Sequence, residues 1–467
     1  MTIRHAVLLG LLALVVADAD AQERRRGGRR RPADSQPATT QATQPGASTQ
    51  STTSAAGKED KEKDRYFALI NGIVYTVSGP ILDGATILCK NGKILRIGDD
   101  VPLPPDTEVL DARGRFVYPG LIAVSAAGIH GGGDPTDTTD VFGLAMNIAL
   151  AGGITTAVNG DTAAKLTFGR LDDMVVAKNL FTELRYETRT PLAHAELRAD
   201  LQRVRDYLRD LAAYEQEKTT NKDAKEPAKD WIKGKYENYL KLLKRETVAV
   251  INASDTHALV DICGLAEKFG FRLVIRGAEE AWIVPTALAR AGASAIITPR
   301  DWIDPDERLV RRSGTSVETG AILYKHGVPV AVIPGINSVT TWGVAGRDLL
   351  HLNMEAAFAV RGGMTNDQAL RSVTLDAARV LGLSDRIGSL EEGKDADMVV
   401  ADGDILSYMT QVHHTIVNGR VAYDKAKDVL YSHIRPEGKA VPVEFDDLWP
   451  RRLEWPREET DPDDANG

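Results

Sequence analysis

The chain has 467 residues, of which 43% are hydrophobic, and a formal net charge of -9. This length is sufficient for one large domain and a smaller one around a sizeable core. The acidic balance argues against a nucleic-acid-binding protein, so we expect no nucleic-acid partner. Two cysteines, Cys89 and Cys263, are too few for a disulfide framework, and their apolar surroundings predict buried thiols.

The first 21 residues have the pattern of a secretory signal. Arg4 and His5 precede an apolar run over residues 6–17, and small residues around Ala19 and Ala21 offer cleavage sites. The run is shorter than the roughly 20 residues that a membrane-spanning helix needs. We therefore expect a signal peptide over residues 1–21 and a secreted or periplasmic protein.

Residues 22–64 have a composition that is typical of a disordered segment. An arginine-rich stretch is followed by a Ser/Thr/Pro/Gln-rich stretch and a run of Lys, Glu and Asp. The segment is either a solvated linker, which we favour, or a region whose arginines contact anionic lipid or cell-wall polymers. Residues 431–467 form an acidic C-terminal tail.

Strand-like runs occur near both ends of the remaining chain. Residues 65–118 are β-rich, and the dipeptides Asn71-Gly72 and Asn91-Gly92 predict hairpin turns. Residues 390–430 contain two more strand-like runs. We expect these two segments to form one small β-sandwich built from both ends of the chain.

Residues 119–389 alternate short β-branched runs with helical patterns. Residues 247–252 and 328–333 are examples of the former, and residues 256–269 of the latter. Such alternation predicts a parallel sheet, either closed or open. Residues 170–245 interrupt the pattern with charged helical sequence, which predicts a helical excursion.

Two stretches carry a family resemblance. Residues 119–122 read PGLI, and residues 385–397 read DRIGSLEEGKDAD. In these stretches the chain resembles the amidohydrolase superfamily, close to its imidazolonepropionase-like branch, and the resemblance covers about residues 66–430. It implies an α/β fold, a (β/α)8 TIM-like barrel with a small β-sandwich domain, and hydrolysis of C–N bonds with zinc or another divalent metal.

The family's metal ligands are replaced in this chain. The resemblance places the two histidines of the first strand on Ser125 and Ala127, and those of a middle strand on Asn252 and Ser254. The next histidine falls on Arg276 or Gly277, and the aspartate that activates water falls on Gly335. Alanine has no lone pair, and a neutral serine hydroxyl is a poor zinc ligand. We therefore predict no metal and no other cofactor.

Two histidines offer an alternative site. His130 and His257 follow strand-like runs, and either Asp134, Asp161 or Asp301 could join them. Their spacing matches no known ligand pattern, which favours loop histidines near solvent.

Arg276 is the one replacement that brings positive charge. An arginine at the end of a barrel strand can clamp a carboxylate with two hydrogen bonds. The alternative is an arginine that is paired with Glu279 or Glu280.

These observations predict an exported amidohydrolase-like pseudoenzyme that binds a small molecule, carboxylate-bearing if Arg276 is the clamp. The alternative is a hydrolase of carbon-nitrogen (non-peptide) bonds in cyclic or linear amides with an atypical site. No catalytic residue is assigned. As partners we expect a second copy of the chain or an active amidohydrolase. The candidate pocket residues are Ser125, His130, Asn252, His257, Arg276 and Gly335.

Overall fold

The computed structural model describes residues 64–186, 190–221, 224–340 and 346–428. The predicted signal peptide, nearly all of the predicted linker and the acidic C-terminal tail lie outside these residues. Within the described part of the chain, no helix has the length and apolar character needed to cross a membrane.

The described residues form seventeen strands and ten α-helices. The strands are β1 (Tyr66–Tyr75), β2 (Ile81–Lys90), β3 (Lys93–Gly98), β4 (Glu108–Asp111), β5 (Phe116–Pro119), β6 (Leu121–Ala123), β7 (Ile154–Asn159), β8 (Thr162–Lys165), β9 (Val175–Ala177), β10 (Phe181–Glu183), β11 (Val248–Ala253), β12 (Leu273–Gly277), β13 (Ser294–Ile297), β14 (Val330–Val332), β15 (Met398–Ala401), β16 (Val412–Val417) and β17 (Arg420–Asp424). The helices are α1 (Pro135–Thr138), α2 (Leu144–Ala151), α3 (Pro191–Lys218), α4 (Lys235–Leu243), α5 (Thr256–Phe269), α6 (Pro285–Arg290), α7 (Thr319–Lys325), α8 (Leu352–Arg361), α9 (Asn366–Ser372) and α10 (Leu375–Leu381).

Strands from both ends of the chain form one sheet. Its order is β17-β16-β15-β5-β1-β2-β3, with β4 pairing to β1. The junction is the antiparallel pair β5 and β15, in which Val117 lies opposite Val400. The two strands meet because their buried residues, among them Val117 and Met398, belong to one apolar core with Phe67 and Ile87. The predicted composite β domain is therefore confirmed.

The two Asn-Gly dipeptides have different roles in this sheet. Asn91 and Gly92 both have positive φ and connect β2 to β3, as a tight hairpin requires. Asn71-Gly72 lies inside β1 at a register shift, so the turn prediction is wrong there. A Cβ on Gly72 would come within 2.6 Å of the Val117 side chain, so the glycine is required by close packing of β1 on β5.

The central region is a barrel of parallel strands. One arc pairs β6 with β7, and the other runs β10-β11-β12-β13-β14, parallel throughout. Backbone contacts close the arcs, because Ala127 N donates to Asn337 O at 2.6 Å and Leu180 N donates to Asp161 O at 2.9 Å. The TIM-barrel fold is confirmed, with seven parallel strands in the described residues.

The segment predicted as a helical excursion, residues 170–245, also contains strands. It begins with β9 and β10, and β10 pairs in parallel with β11 as part of the barrel. A three-residue strand is too short to produce a recognisable periodicity, which is why the sequence pattern did not reveal it. The helices α3 and α4 follow, and Leu197, Leu201 and Val204 of α3 are buried at helical spacing.

A buried ion cluster joins the sheet to the barrel. Lys165, at the end of β8, is 1% exposed and contacts both Asp395 and Asp397 of the 385–397 motif. Arg386 and Lys93 also contact Asp395, at 3.0 and 2.9 Å. Burial would raise the pKa of Asp395, but the charge of Lys165 and the contacts of Lys93 and Arg386 outweigh it and lower that pKa. The motif that marks the family therefore acts here as a structural joint.

We expect Lys165→Met to lower the free energy of unfolding by about 3–5 kcal/mol, because it leaves buried carboxylates without their cation. Lys93→Met is the matched control, since Lys93 contacts the same Asp395 from a side chain that is 56% exposed. The control substitution should lower the free energy of unfolding by no more than about 1 kcal/mol. Urea unfolding of the two variants measures both values, and equal losses would contradict the proposed role of Lys165.

Candidate binding site at the barrel mouth

The carboxyl ends of β11 and β12 place two polar side chains next to each other. Parallel pairing sets Asn252 opposite Arg276, and residues at one register position of adjacent strands project to the same face. Asn252 is exposed and Arg276 is half-buried. The carboxyl ends of barrel strands are where active sites of this fold lie.

Arg276 is only weakly paired. Its Nη1 lies 3.6 Å from Oε1 of Glu183, whose own side chain is 72% exposed. The guanidinium lies over the ring of Phe181, 5.6 Å from the centroid. Nε is buried and has no hydrogen-bond partner among the described residues. Burial lowers the pKa of Arg276, and the charge of Glu183 opposes this only in part.

Neither acid proposed from the sequence pairs with Arg276. Glu280 accepts hydrogen bonds from Thr256 N at 2.8 Å and Gly314 N at 3.1 Å, and it forms an ion pair with Arg311 at 2.6 Å. These bonds hold the mouth loop, residues 298–318 between β13 and α7, onto the strand ends. The alternative in which Arg276 pairs with Glu280 is therefore wrong.

Glu279 lies on the other face of β12. A Cβ on Gly277 would be 2.8 Å from Glu279 Oε2, so the carboxylate covers the face to which Gly277 projects. Successive residues of a strand project to opposite faces, and Arg276 therefore projects away from Glu279.

Ser125 takes part in barrel closure. Its Oγ accepts a hydrogen bond from Asn337 Nδ2 at 3.2 Å, next to the backbone bridge between Ala127 and Ser338. An amide is not a base, so this contact does not activate the hydroxyl as a nucleophile.

The two candidate histidines are not brought together. His130 is 3% exposed, and its ring nitrogens lie 2.9 and 3.1 Å from the carbonyl oxygens of Gly131 and Ala157. Neither nitrogen is free for a ligand, and the expectation of a solvent-near loop is wrong for His130. His257 is 71% exposed and lies 3.8 Å from Asp261. Asp255 caps α5 immediately after β11, and Ala258, Leu259 and Ile262 are the residues of the first turns that face the core.

The acids considered with these histidines have other partners. Asp134 pairs with Lys178 at 2.6 Å, and Asp301 pairs with Arg347. Asp161 lies at the turn between β7 and β8. Its backbone carbonyl accepts the hydrogen bond from Leu180 N that contributes to barrel closure. The alternative histidine and aspartate site is not assembled.

The Asp301–Arg347 ion pair borders Gly335. A Cβ on Gly335 would lie 3.0 Å from Arg347 Nη2 and 3.3 Å from Asp301 Oδ1. The position to which the resemblance assigns the family's catalytic aspartate is thus adjacent to an existing ion pair. Arg347 was not recognised from the sequence, because it lies twelve residues beyond Gly335 and outside every motif.

The side chains at the positions to which the resemblance assigns metal ligands do not fit zinc. Serine, alanine, asparagine, arginine and glycine offer no set of three His, Cys or carboxylate donors. Across the described ranges, no group of three or more His, Cys, Asp or Glu side chains is placed to hold a metal ion. We therefore derive no reaction step through a metal.

We expect Gly335→Asp to destabilise the protein more than Gly335→Ala does. Both introduce a Cβ close to Arg347, but the aspartate also places a second carboxylate beside Asp301. The alanine variant should lower the free energy of unfolding by about 1 kcal/mol, and the aspartate variant should lower it by about 1–2 kcal/mol more. Thermal unfolding compares them, and an aspartate variant as stable as the alanine variant would contradict this description of the site.

Comparison with known proteins places the fold in context. Residues 116–422 match the amidohydrolase family. The imidazolonepropionase of Brucella anthropi is 26% identical over an alignment of 394 positions, which covers 69% of this chain and 88% of that protein. The imidazolonepropionase of Pseudomonas savastanoi is 38% identical over 116 residues, which are 25% of this chain and 26% of that protein. The structure of an amidohydrolase from Thermotoga maritima has a TM-score of 0.61 and 22% identity, and the match covers 77% of this chain and 100% of that one. This chain therefore belongs to the amidohydrolase family.

Proposed function

We propose that this protein binds a small carboxylate-bearing molecule at the barrel mouth and does not hydrolyse it. The observation that carries the proposal is Arg276, a half-buried guanidinium whose Nε has no hydrogen-bond partner among the described residues. A buried charge without a partner is costly, so a charged ligand that supplies the missing bonds gains affinity.

A carboxylate fits this environment better than other anions of similar size. Its two oxygens match the planar fork of a guanidinium, whose Nε and one terminal nitrogen donate in parallel. Asn252, which lies beside Arg276 in the register, supplies an amide for a neutral part of the ligand. Phe181 supplies an apolar surface under the guanidinium.

The contacts around the site favour binding over catalysis. Amide hydrolysis requires an activated water or nucleophile, with a base within hydrogen-bond reach. Ser125 accepts from an amide, and both nitrogens of His130 face carbonyl oxygens. The exposed His257 lies beside Asp261 on the outer side of α5.

A hydrolase of carbon-nitrogen bonds is the second candidate. It is favoured by the match to 88% of the length of the Brucella anthropi protein, whose name describes an imidazolonepropionase. Such an activity would use an atypical site.

We further propose export through the N-terminal signal, and association either with a second copy of this chain or with an active amidohydrolase.

We expect Arg276→Gln to weaken the binding of imidazolepropionate by about 10-fold or more, because a charge-assisted pair of hydrogen bonds is lost. The primary amide of the same compound should bind the wild type weakly. Arg272→Gln is the matched control, since Arg272 is an exposed arginine at the opposite end of the same strand. Calorimetric titration measures all four affinities, and equal binding of acid and amide would contradict the carboxylate clamp.

The same sample distinguishes the two candidate functions. Metal analysis and a screen of cyclic and linear amides, with and without added zinc, should reveal no turnover if the protein is a binder. Turnover that Arg276→Gln or Ser125→Ala abolishes would establish the hydrolase instead.

A further inference from the structure

A cavity lies behind the ends of β12 and β13, beneath the mouth loop. Its volume is about 70 Å³. It is lined by Gly277, Ala278, Glu279, Ile297, Thr298, Pro299, Asp301, Thr315, Ser316, Val317, Thr319, Gly320 and Ala359. We propose that this cavity binds a small monovalent cation, with Glu279 as its charged ligand.

The cavity is separate from the Arg276 site. Arg276 pairs with Ile296 in the register, whereas the cavity is lined by the next residues of the same strands, Gly277 and Ile297. Because side chains alternate along a strand, the cavity is on the opposite face of the β12–β13 pair from the guanidinium. The cation site therefore does not depend on the proposed carboxylate ligand.

Glu279 is one of the residues that line this cavity. Its Oε2 is buried and has no hydrogen-bond partner among the described residues. The turn that follows β12 brings it there, since Gly277 and Ala278 have φ of +90° and +55° and fold the carboxylate back over Gly277. A buried carboxylate oxygen without a donor is costly unless a ligand satisfies it.

The charges around the cavity leave one negative charge without a partner. Asp301 is neutralised by Arg347, and the neighbouring Glu280 by Arg311. The described residues that line the cavity include no lysine, arginine or histidine. One uncompensated carboxylate matches a cation of charge +1, whereas a divalent ion would leave an excess positive charge.

The remaining polar groups of the lining are oxygen ligands. Hydroxyls come from Thr298 at the end of β13, from Thr315 and Ser316 in the mouth loop, and from Thr319 at the start of α7. Oxygen ligands are those that hard cations prefer. A volume of about 70 Å³ exceeds the roughly 10–15 Å³ of probe-occupied space that one water requires. A cation of sodium, potassium or ammonium size therefore fits together with one water.

Such a cation has a structural consequence for the barrel mouth. Glu279 follows the end of β12, whereas Thr298, Thr315 and Ser316 belong to the mouth loop. An ion that contacts both groups would fasten the loop next to the anchor that Glu280 already provides. The ion should therefore stabilise the folded protein in proportion to its occupancy.

The test compares the melting temperature of the full-length protein in potassium, sodium, ammonium and tetramethylammonium chloride at one ionic strength. At least one small cation should raise the melting temperature by roughly 1–4 °C over tetramethylammonium, whose methyl groups prevent oxygen ligands from approaching its charge closely. Glu279→Gln should abolish this difference. Glu318→Gln, which removes an exposed carboxylate before α7, and Arg276→Gln should retain it.

Two results would overturn the proposal. Equal melting temperatures in all four salts would mean that water alone satisfies Glu279, and a larger increase with calcium chloride would mean that the ion is divalent.

A direct measurement uses thallium(I), a heavy substitute for potassium, in crystals of the wild type. An anomalous peak within about 3 Å of Glu279 Oε2 is expected at oxygen-coordination distance, and crystals without such a peak would exclude the site even if the variant proved unstable.

Discussion

The structure depends on one buried ion cluster. Lys165, at the end of β8, contacts Asp395 and Asp397, which lie just before β15 of the composite sheet. The backbone of Asp397 takes part as well, because Gly120 N donates to its carbonyl at 3.0 Å immediately before β6. The same few residues thus fix where the chain enters the barrel, where it leaves it, and how the sheet lies against it. Since each buried charge needs the others, the joint forms as a unit.

This joint lies apart from the barrel mouth, so the mouth can change its chemistry while the fold is retained. At the mouth, two arginines supply positive charge. Arg276 stands at the end of β12, and Arg347 is paired with Asp301 beside Gly335. The two differ in one respect that matters for binding. Arg347 has a close carboxylate partner, whereas Arg276 lies 3.6 Å from an exposed glutamate, which is why Arg276 is the arginine proposed to bind a ligand.

The features that could be predicted from the sequence are those that repeat or that many residues encode together. The alternation of strands and helices indicated parallel pairing, and the β-rich ends indicated the sheet that β5 and β15 join. The resemblance pointed to the barrel and to the positions of Ser125, Asn252 and Gly335. What could not be predicted depends on individual contacts across the fold. The three-residue strand β10 has no periodicity of its own, and the burial of His130 follows from carbonyl groups that include one twenty-seven residues away.

Arg276 and Glu279 show why contacts that depend on the fold could not be predicted from the sequence. Along the sequence they are three residues apart, a spacing at which a helix would bring them together. They follow a strand instead, and the strand's alternation sends Arg276 to one face while the positive φ of Gly277 and Ala278 folds Glu279 onto the other. Glycine is favoured at position 277, because its φ of +90° is a conformation that other residues rarely adopt. The consequence is that two opposite charges close in sequence do not neutralise each other. Each retains an unsatisfied polar atom among the described residues, and this is the basis of both the anion proposed for the mouth and the cation proposed for the cavity.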